Sequence, residues 1–440
     1  MGGEAWRGLL GVRRRVREPA APVFPEPTQA ALDASRLTLE RLLRENLLPF
    51  WLPGALDREH GGYRLNHDVR GRWKGPASKH LVSQARTLWF FARLAGAGIA
   101  PGVHREAAEH GHRFLRERLW DERFGGLFWE VGASGREVRR DGKHLYGQSF
   151  GLYALSEHAM ASGDAAAARL AGRLFELLET RAHDPRHGGY RECFRRDWSP
   201  LPEDEAGPLG APAGLKLMNT HLHLLESITR YFRLSRDPVA RERVFELISV
   251  MSDAVVHESA GVYTDRFRID WTPLRGPAHD RTSYGHQLEG IWLLAEACRA
   301  VGVPPARLLG RFRSLFGHAL RWGFDRERGG FYDSGPLAAP ADRRSKLWWV
   351  QAEALVAALE MHALTGEPGW LGCFLATLDW VVRRQADWVH GDWHARVDPE
   401  TGAPSGDKAG AWKSPYHAGR AVLECLERLP ARGGAAACSG

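Results

Sequence analysis

A chain of 440 residues, 44% of them apolar, is long enough to bury a large core, and ordinarily long enough to divide into two or three domains. Its net charge of +7 comes from Arg residues scattered among acids, and the one dense run, "RRRVR" at 13–17, sits in a Pro- and Ala-rich head, which disfavours a nucleic-acid groove. No apolar run approaches the ~20 residues of a membrane span, no apolar signal core opens the chain, and the cysteines at 193, 298, 373, 425 and 438 lack the spacing of a zinc site or disulfide framework; the expectation is a cytoplasmic protein with no membrane partner, no metal and no cofactor.

In chain order, residues 1–27 read as a flexible Arg/Pro/Ala-rich extension, and the first helical stretch is "ALDASRLTLERLLRENLLPFWL". A polar turn follows, "DREHGGYRLNHD" from Asp57, and it returns as "DERFGGLFWEV" from Asp121, "DPRHGGYRECF" from Asp184, "HESAGVYTDRF" from His257, "DRERGGFYDSG" from Asp325 and "DWVHGDWHARV" from Asp387. The Gly anchors at 61, 125, 188, 261, 329 and 391 are 62 to 73 residues apart, room for two ordinary helices and their connections. Between the turns apolar residues recur at helical spacing, as in "LVSQARTLWFFARLAGAG" and then "HREAAEHGHRFLRERLW". The last pair straddles the ends, because "YHAGRAVLECLERL" closes the chain and pairs with the opening helix.

Twelve helices in six hairpins, with the first and last completing each other, predict a closed all-α toroid, an (α/α)6 barrel over residues 28–429 with short β-hairpin rim loops and a flexible tail at 430–440. The Asp and the Gly pair of each turn read as rim structure: the carboxylate starts the turn and Gly supplies positive φ.

The helices after the turns begin "KHLVSQAR" at Lys79, "KHLYGQSF" at Lys143, "KLMNTHLH" at Lys216, "TSYGHQLE" at Thr282, "KLWWVQAE" at Lys346 and "KSPYHAGR" at Lys413. Polar and aromatic groups crowd where an inner helix should be turning apolar, a departure expected at functional sites. Offsets three, four, five and seven collect Gln84, Arg86, Tyr146, Gln148, Asn219, His221, His223, His286, Glu289, Trp349, Gln351, Glu353, Tyr416, His417 and Arg420 into a cup at the barrel mouth. His221 is left open between facing the wall and facing the site; His158, His318 and His362 read as packing or surface residues.

Imidazoles on three different helices, His223, His286 and His417, suit proton transfer at carbon near neutrality, with Arg86 holding a developing oxyanion. Glu289 and Glu353 keep glycoside hydrolysis open, because that reaction needs two carboxyl groups. Tyr146, Trp349 and Trp412 offer flat faces for a sugar ring.

"QARTLWFFARL", "MNTHLHLLE", "SYGHQLEGIWLL", "WWVQAEAL" and "WKSPYHAGRA" together resemble the N-acylglucosamine 2-epimerase superfamily, most closely its cellobiose 2-epimerase branch, over about residues 30–428. The resemblance implies a metal-independent (α/α)6-barrel isomerase that inverts C2 of the reducing-end sugar of a β-1,4-linked disaccharide such as cellobiose, mannobiose or lactose through a cis-enediolate. It implies His286 and His417 as the acid/base pair, with Arg86 and His223 stabilising the intermediate and assisting ring opening. Asn219 and Glu289 would bind sugar hydroxyls, while Tyr146, Trp349, Glu353 and Trp412 would line the site, Trp349 and Trp412 as platforms. The alternative is an aldose–ketose isomerase of the mannose/fructose type, and further off an N-acylglucosamine 2-epimerase or a glycoside hydrolase. The expected partner is a small sugar, and the expected state a monomer or homodimer.

Overall fold

The computed structural model describes residues 19–429; the head's residues 1–18 and the tail at 430–440 lie outside that range. Of the head's remaining part, Phe24 packs edge-on against Phe324, with ring centroids 5.2 Å apart.

Helix α1 (Gln29–Arg41) continues through a π-helical turn into α2 (Leu48–Trp51), forming one rod. The others are α3 (Leu81–Gly96), α4 (Pro101–Phe114), α5 (Leu145–Ser162), α6 (Ala165–Leu177), α7 (Met218–Ser235), α8 (Pro238–Ser249), α9 (Tyr284–Val301), α10 (Leu309–His318), α11 (Trp348–Thr365), α12 (Pro368–Trp380) and α13 (Tyr416–Arg428). The odd-numbered helices from α3 to α13 form an inner ring in which each touches the next, and α13 touches α3, so the ring closes. Each outer helix packs on its own inner partner, with α1 serving α13 as expected from the sequence. The Arg36 guanidinium fastens this closure by donating to the Leu426 and Leu429 carbonyls, both at 2.8 Å.

Residue pattern decides which helix goes where. Inner helix α5 is buried continuously from Leu145 to Ala159, as an all-round apolar helix must be. Outer helix α6 buries Ala167, Leu170, Ala171, Leu174 and Phe175, one amphipathic stripe. Among the described residues no helix is long and apolar enough to cross a membrane, and the four described cysteines are buried and free.

The repeated turn is a rim device with a fixed wiring. Asp57 Oδ1 accepts from the Glu59 and His60 amides, while Oδ2 takes the Lys79 ammonium at 2.6 Å. The same buried pair recurs as Asp121–Lys143 (3.0 Å), Asp184–Lys216 (2.8 Å), Asp325–Lys346 (2.8 Å) and Asp387–Lys408 (2.7 Å). In the fourth unit the two positions hold His257 and Thr282, so both partners of the pair are replaced together.

The rim strands do more than form hairpins: β1 (Lys79–His80) pairs with β2 (Glu130–Val131), which also pairs with β3 (Val138–Arg140). Likewise β4 (Lys143–His144) pairs with β5 (Cys193–Phe194). Each such ladder ties the entry of one inner helix to the turn of the next unit.

Candidate active site

Every inner helix starts at the same end of the barrel, and the residues expected to act lie in the first two turns of each. From α3 comes Arg86, from α5 Tyr146, from α7 Asn219 and His223, from α9 His286 and Glu289, from α11 Trp349 and Glu353, and from α13 His417. Trp412 lies in the loop before α13 and is 45% exposed. The N-terminal ends of these helices add the positive potential of their dipoles to the cup.

Trp349 is the shared neighbour of the two histidines. Its ring lies 4.8 Å from that of His286 and 5.8 Å from that of His417. His417 is backed by a carboxylate: its Nδ1 is 2.6 Å from Glu353 Oε1, which fixes the proton on Nδ1 and leaves Nε2 with the lone pair. His286, half-buried at the mouth, has no hydrogen-bond partner for either ring nitrogen among the described residues. Burial pushes the His286 pKa down to about 3, with the positive potential of His223 and Arg86 adding to it. Burial and then Arg86 push His417 in the same direction. Both rings are therefore neutral bases in the free protein.

His223 is held differently. Its Nδ1 meets Glu226 Oε2 at 3.0 Å, and its ring stands perpendicular to Tyr146, with centroids 5.2 Å apart. Arg86 donates to the Tyr146 hydroxyl (2.9 Å) and lies 4.1 Å from the Phe150 ring centroid, while its Nε has no protein partner. Asn219 Oδ1 and Glu289 Oε2 are also without protein partners, three polar atoms with hydrogen-bonding capacity to spare.

Beneath the cup lies an ionic floor. Arg420 Nη2 donates to Glu289 Oε1 (2.5 Å) and Glu353 Oε1 (2.8 Å), and Nη1 pairs with Glu226. Burial tends to raise Glu226, but Arg420 and His223 outweigh it and bring its pKa to about 2. Burial, and then the charge of Glu353, raise Glu289 to about 7. Glu289, Glu353 and His417 bring one ligand-type atom each within 4.8 Å of one another, but the guanidinium of Arg420 already holds both carboxylates.

Several expectations change here. Glu353 offers the cup no free oxygen, with Oε1 on His417 and Arg420 and Oε2 accepting from Trp292 Nε1 at 3.0 Å. Tyr146, 5% exposed, holds Arg86 and His223 more than it presents a face. Gln84, Gln148 and Gln351 leave the cup altogether, because each clamps the backbone N–H and C=O of a rim residue, Tyr63, Leu127 and Phe331. His221 takes the same position in its unit, accepting from the Tyr190 amide at 2.9 Å, so it faces the wall.

Glu226 is a residue sequence reasoning missed. It sits in the third turn of α7, beyond the window compared across helices, and its signal was the three-residue spacing to His223 in "HLLE". Tyr416 and Arg420 stood among the cup residues without a role; they join the floor through Glu226.

The profile of the N-acylglucosamine 2-epimerase (GlcNAc 2-epimerase) family matches residues 61–421. A cellobiose 2-epimerase of Bacteroides fragilis is 30% identical over 396 residues, spanning 88% of this chain and 97% of its own length. The solved structure of cellobiose 2-epimerase from Spirochaeta thermophila is 35% identical, covers 92% of this chain and 99% of that one, and superposes with a TM-score of 0.81. A D-mannose isomerase of Marinomonas mediterranea is 26% identical over 397 residues, 88% of this chain and 95% of its own.

Proposed function

Because the chain belongs to the N-acylglucosamine 2-epimerase family, and so to the sugar epimerases and isomerases, we propose that it inverts C2 of the reducing-end sugar of a β-1,4-linked disaccharide such as cellobiose, without a metal. The observation that carries the reading is that two imidazoles, His286 and His417, come from different inner helices and both neighbour the Trp349 ring.

The chemistry follows from that placement. With the sugar ring open, the aldehyde acidifies the C2–H bond, and one imidazole removes that proton to leave a cis-enediolate. The other imidazole, once solvent has made it an imidazolium, delivers its second proton to the opposite face of C2 and returns to neutral; one C–H bond breaks, another forms, and the first imidazolium gives its proton back to solvent. The free site holds both rings neutral, so the negative charge of the enediolate must draw the second proton in. Arg86, with an unengaged Nε, is placed to hold the enediolate oxygen, and His223, braced by Glu226, to move the proton of ring opening. The free oxygens of Asn219 and Glu289 supply acceptors for sugar hydroxyls.

Room for a second sugar unit supports the disaccharide. Trp412 is exposed beside Trp129, with ring centroids 6.3 Å apart, and Trp129 walls a rim cleft of about 580 Å³ together with His144, Phe194 and Glu205. The test is proton NMR of the protein with cellobiose in heavy water: 4-O-β-glucosyl-mannose with deuterium at C2 is the expected product. The D-mannose isomerase relatives favour a second reading, aldose–ketose isomerisation, in which the proton returns to C1. Unchanged cellobiose with conversion of mannose to fructose would establish that reading instead.

A further inference from the structure

At the other end of α5 from the cup, two imidazoles and two carboxylates meet. His112 and Glu109 come from α4, His158 from the last turns of α5, and Asp164 from the N-cap of α6. His158 lies twelve residues beyond Tyr146 on the same helix, about 18 Å along its axis, so this cluster is separate from the sugar site.

Both rings are 1% exposed and sit 4.5 Å apart, centroid to centroid. His112 Nδ1 is 3.7 Å from Glu109 Oε2 and 3.7 Å from Asp164 Oδ2; His158 Nε2 is 3.4 Å and 4.0 Å from the same two oxygens. These separations are too long for good hydrogen bonds, and both nitrogens of His112 and Nε2 of His158 have no hydrogen-bond partner. Buried polar nitrogens left unpaired beside two carboxylates call for an explanation, since such groups are ordinarily satisfied.

We infer that Glu109, His112, His158 and Asp164 form a structural site for a divalent transition-metal cation of the zinc(II) class. Four ligand atoms, one from each residue, lie within 4.8 Å of one another. Tetrahedral zinc with bonds of about 2.0–2.2 Å sets its ligands roughly 3.3–3.6 Å apart, so the cluster contracts by up to about 1.5 Å around the ion. Two neutral imidazoles and two carboxylates carry a charge of −2, which a divalent cation cancels. Arg116, whose charge opposes a cation here, is paired with Glu117 at 2.7 Å.

The division of labour within the cluster fits an ion that enters from solvent. The Glu109 and Asp164 side chains are 43% and 30% exposed, while the imidazoles form the inner wall. Asp164 uses Oδ1 to cap α6, accepting from Ala166 N at 2.7 Å, and so leaves Oδ2 for the metal. Bound there, the ion joins the outer helix of one unit to both helices of the next.

The test uses the full-length protein stripped with EDTA and titrated with zinc sulfate, read by isothermal titration calorimetry, elemental analysis after gel filtration, and thermal unfolding. The expected result is one zinc per chain and a higher Tm. Cobalt(II) in its place should give the visible absorption of a tetrahedral centre. Asp164→Asn keeps the cap acceptor and Glu109→Gln keeps shape at an exposed position, so both variants should fold; each should bind zinc at least about tenfold more weakly and lose the zinc-induced rise in Tm. Absence of stoichiometric binding to the native chain, or unaltered binding in both variants, would overturn the assignment.

Discussion

Nδ1 of His417 and Oε1 of Glu353 stand 2.6 Å apart, and the same carboxylate oxygen accepts from Arg420, so the ring of His417 is aimed by a group committed to protein partners. A buried carboxylate behind an imidazole fixes its tautomer and stabilises the imidazolium formed when it takes a proton. Glu353→Gln keeps the size but loses both effects. The expected outcome is a fall in kcat of about 10²–10⁴-fold with KM changed little, since both Glu353 oxygens are held by protein groups. A loss confined to KM would place Glu353 in the binding surface instead.

The two imidazoles are expected to serve opposite faces of C2, and single variants can separate them. His286→Ala and His417→Ala should each abolish net epimerisation. Each should still exchange the C2 hydrogen of one epimer with solvent, and the two variants should favour different epimers, because the surviving base meets only one face. Deuterium incorporation at C2, followed separately for the glucose- and mannose-ended disaccharides, checks this. Identical exchange in both variants would mean that one base works both faces.

The toroid was legible because the turn is written six times and because the chain's ends complement each other. The cup was legible by helical phase. Offsets three, four and seven from each inner start point within a narrow arc, and there Arg86, His223, His286, Glu289, Trp349 and His417 fall. Offset five lies about 100° from offset four around the helix, which is why Gln84, Gln148 and Gln351 reach for the rim. The Asp–Lys pairs were hidden because their partners are separated by 21 to 32 residues, and sequence reveals each charge without the contact. Glu226 was hidden by depth, one turn further in than the comparison reached.

The rim pairs predict how the fold responds to acid. Burial tends to raise the pKa of Asp121, but hydrogen bonds from Arg196 and Lys143 outweigh it and bring it to about 2; Asp184, held by Lys216, is likewise brought to about 2. A carboxylate whose folded pKa lies below its unfolded value of about 3.8 stabilises the fold above that pH and stops doing so as pH falls toward 2. Thermal unfolding between pH 5 and pH 2, windows set by these shifts, should show Tm dropping steeply below about pH 4. Asp121→Asn should lower Tm at pH 7 and flatten that acid slope. A parallel slope in the variant would locate the acid sensitivity elsewhere.

Gly330 shows how closely the rim turn and its clamp are fitted. Its φ is +73°, and a Cβ built there would stand 2.7 Å from Gln351 Oε1, the atom that accepts from the Phe331 amide. Gly62 has the same relationship to Gln84, also at 2.7 Å. Where the second Gly is replaced, the clamp changes with it: the unit with Asp392 carries Ala418 at the clamp position, and in the unit with Val262 the amide of Gln287 donates to Thr282 Oγ1 at 2.8 Å. Gly330→Ala should therefore destabilise by about 2 kcal/mol, combining a left-handed backbone with a displaced clamp. Shortening the clamp in the double variant Gly330→Ala with Gln351→Ala should relieve the clash but leave the Phe331 amide and carbonyl without their partner, so the two losses should be less than additive. Urea unfolding of the two single variants and the double variant measures that coupling; strict additivity would show that Gly330 is needed for its φ or its approach to Trp380, 3.0 Å from such a Cβ, and not for the clamp.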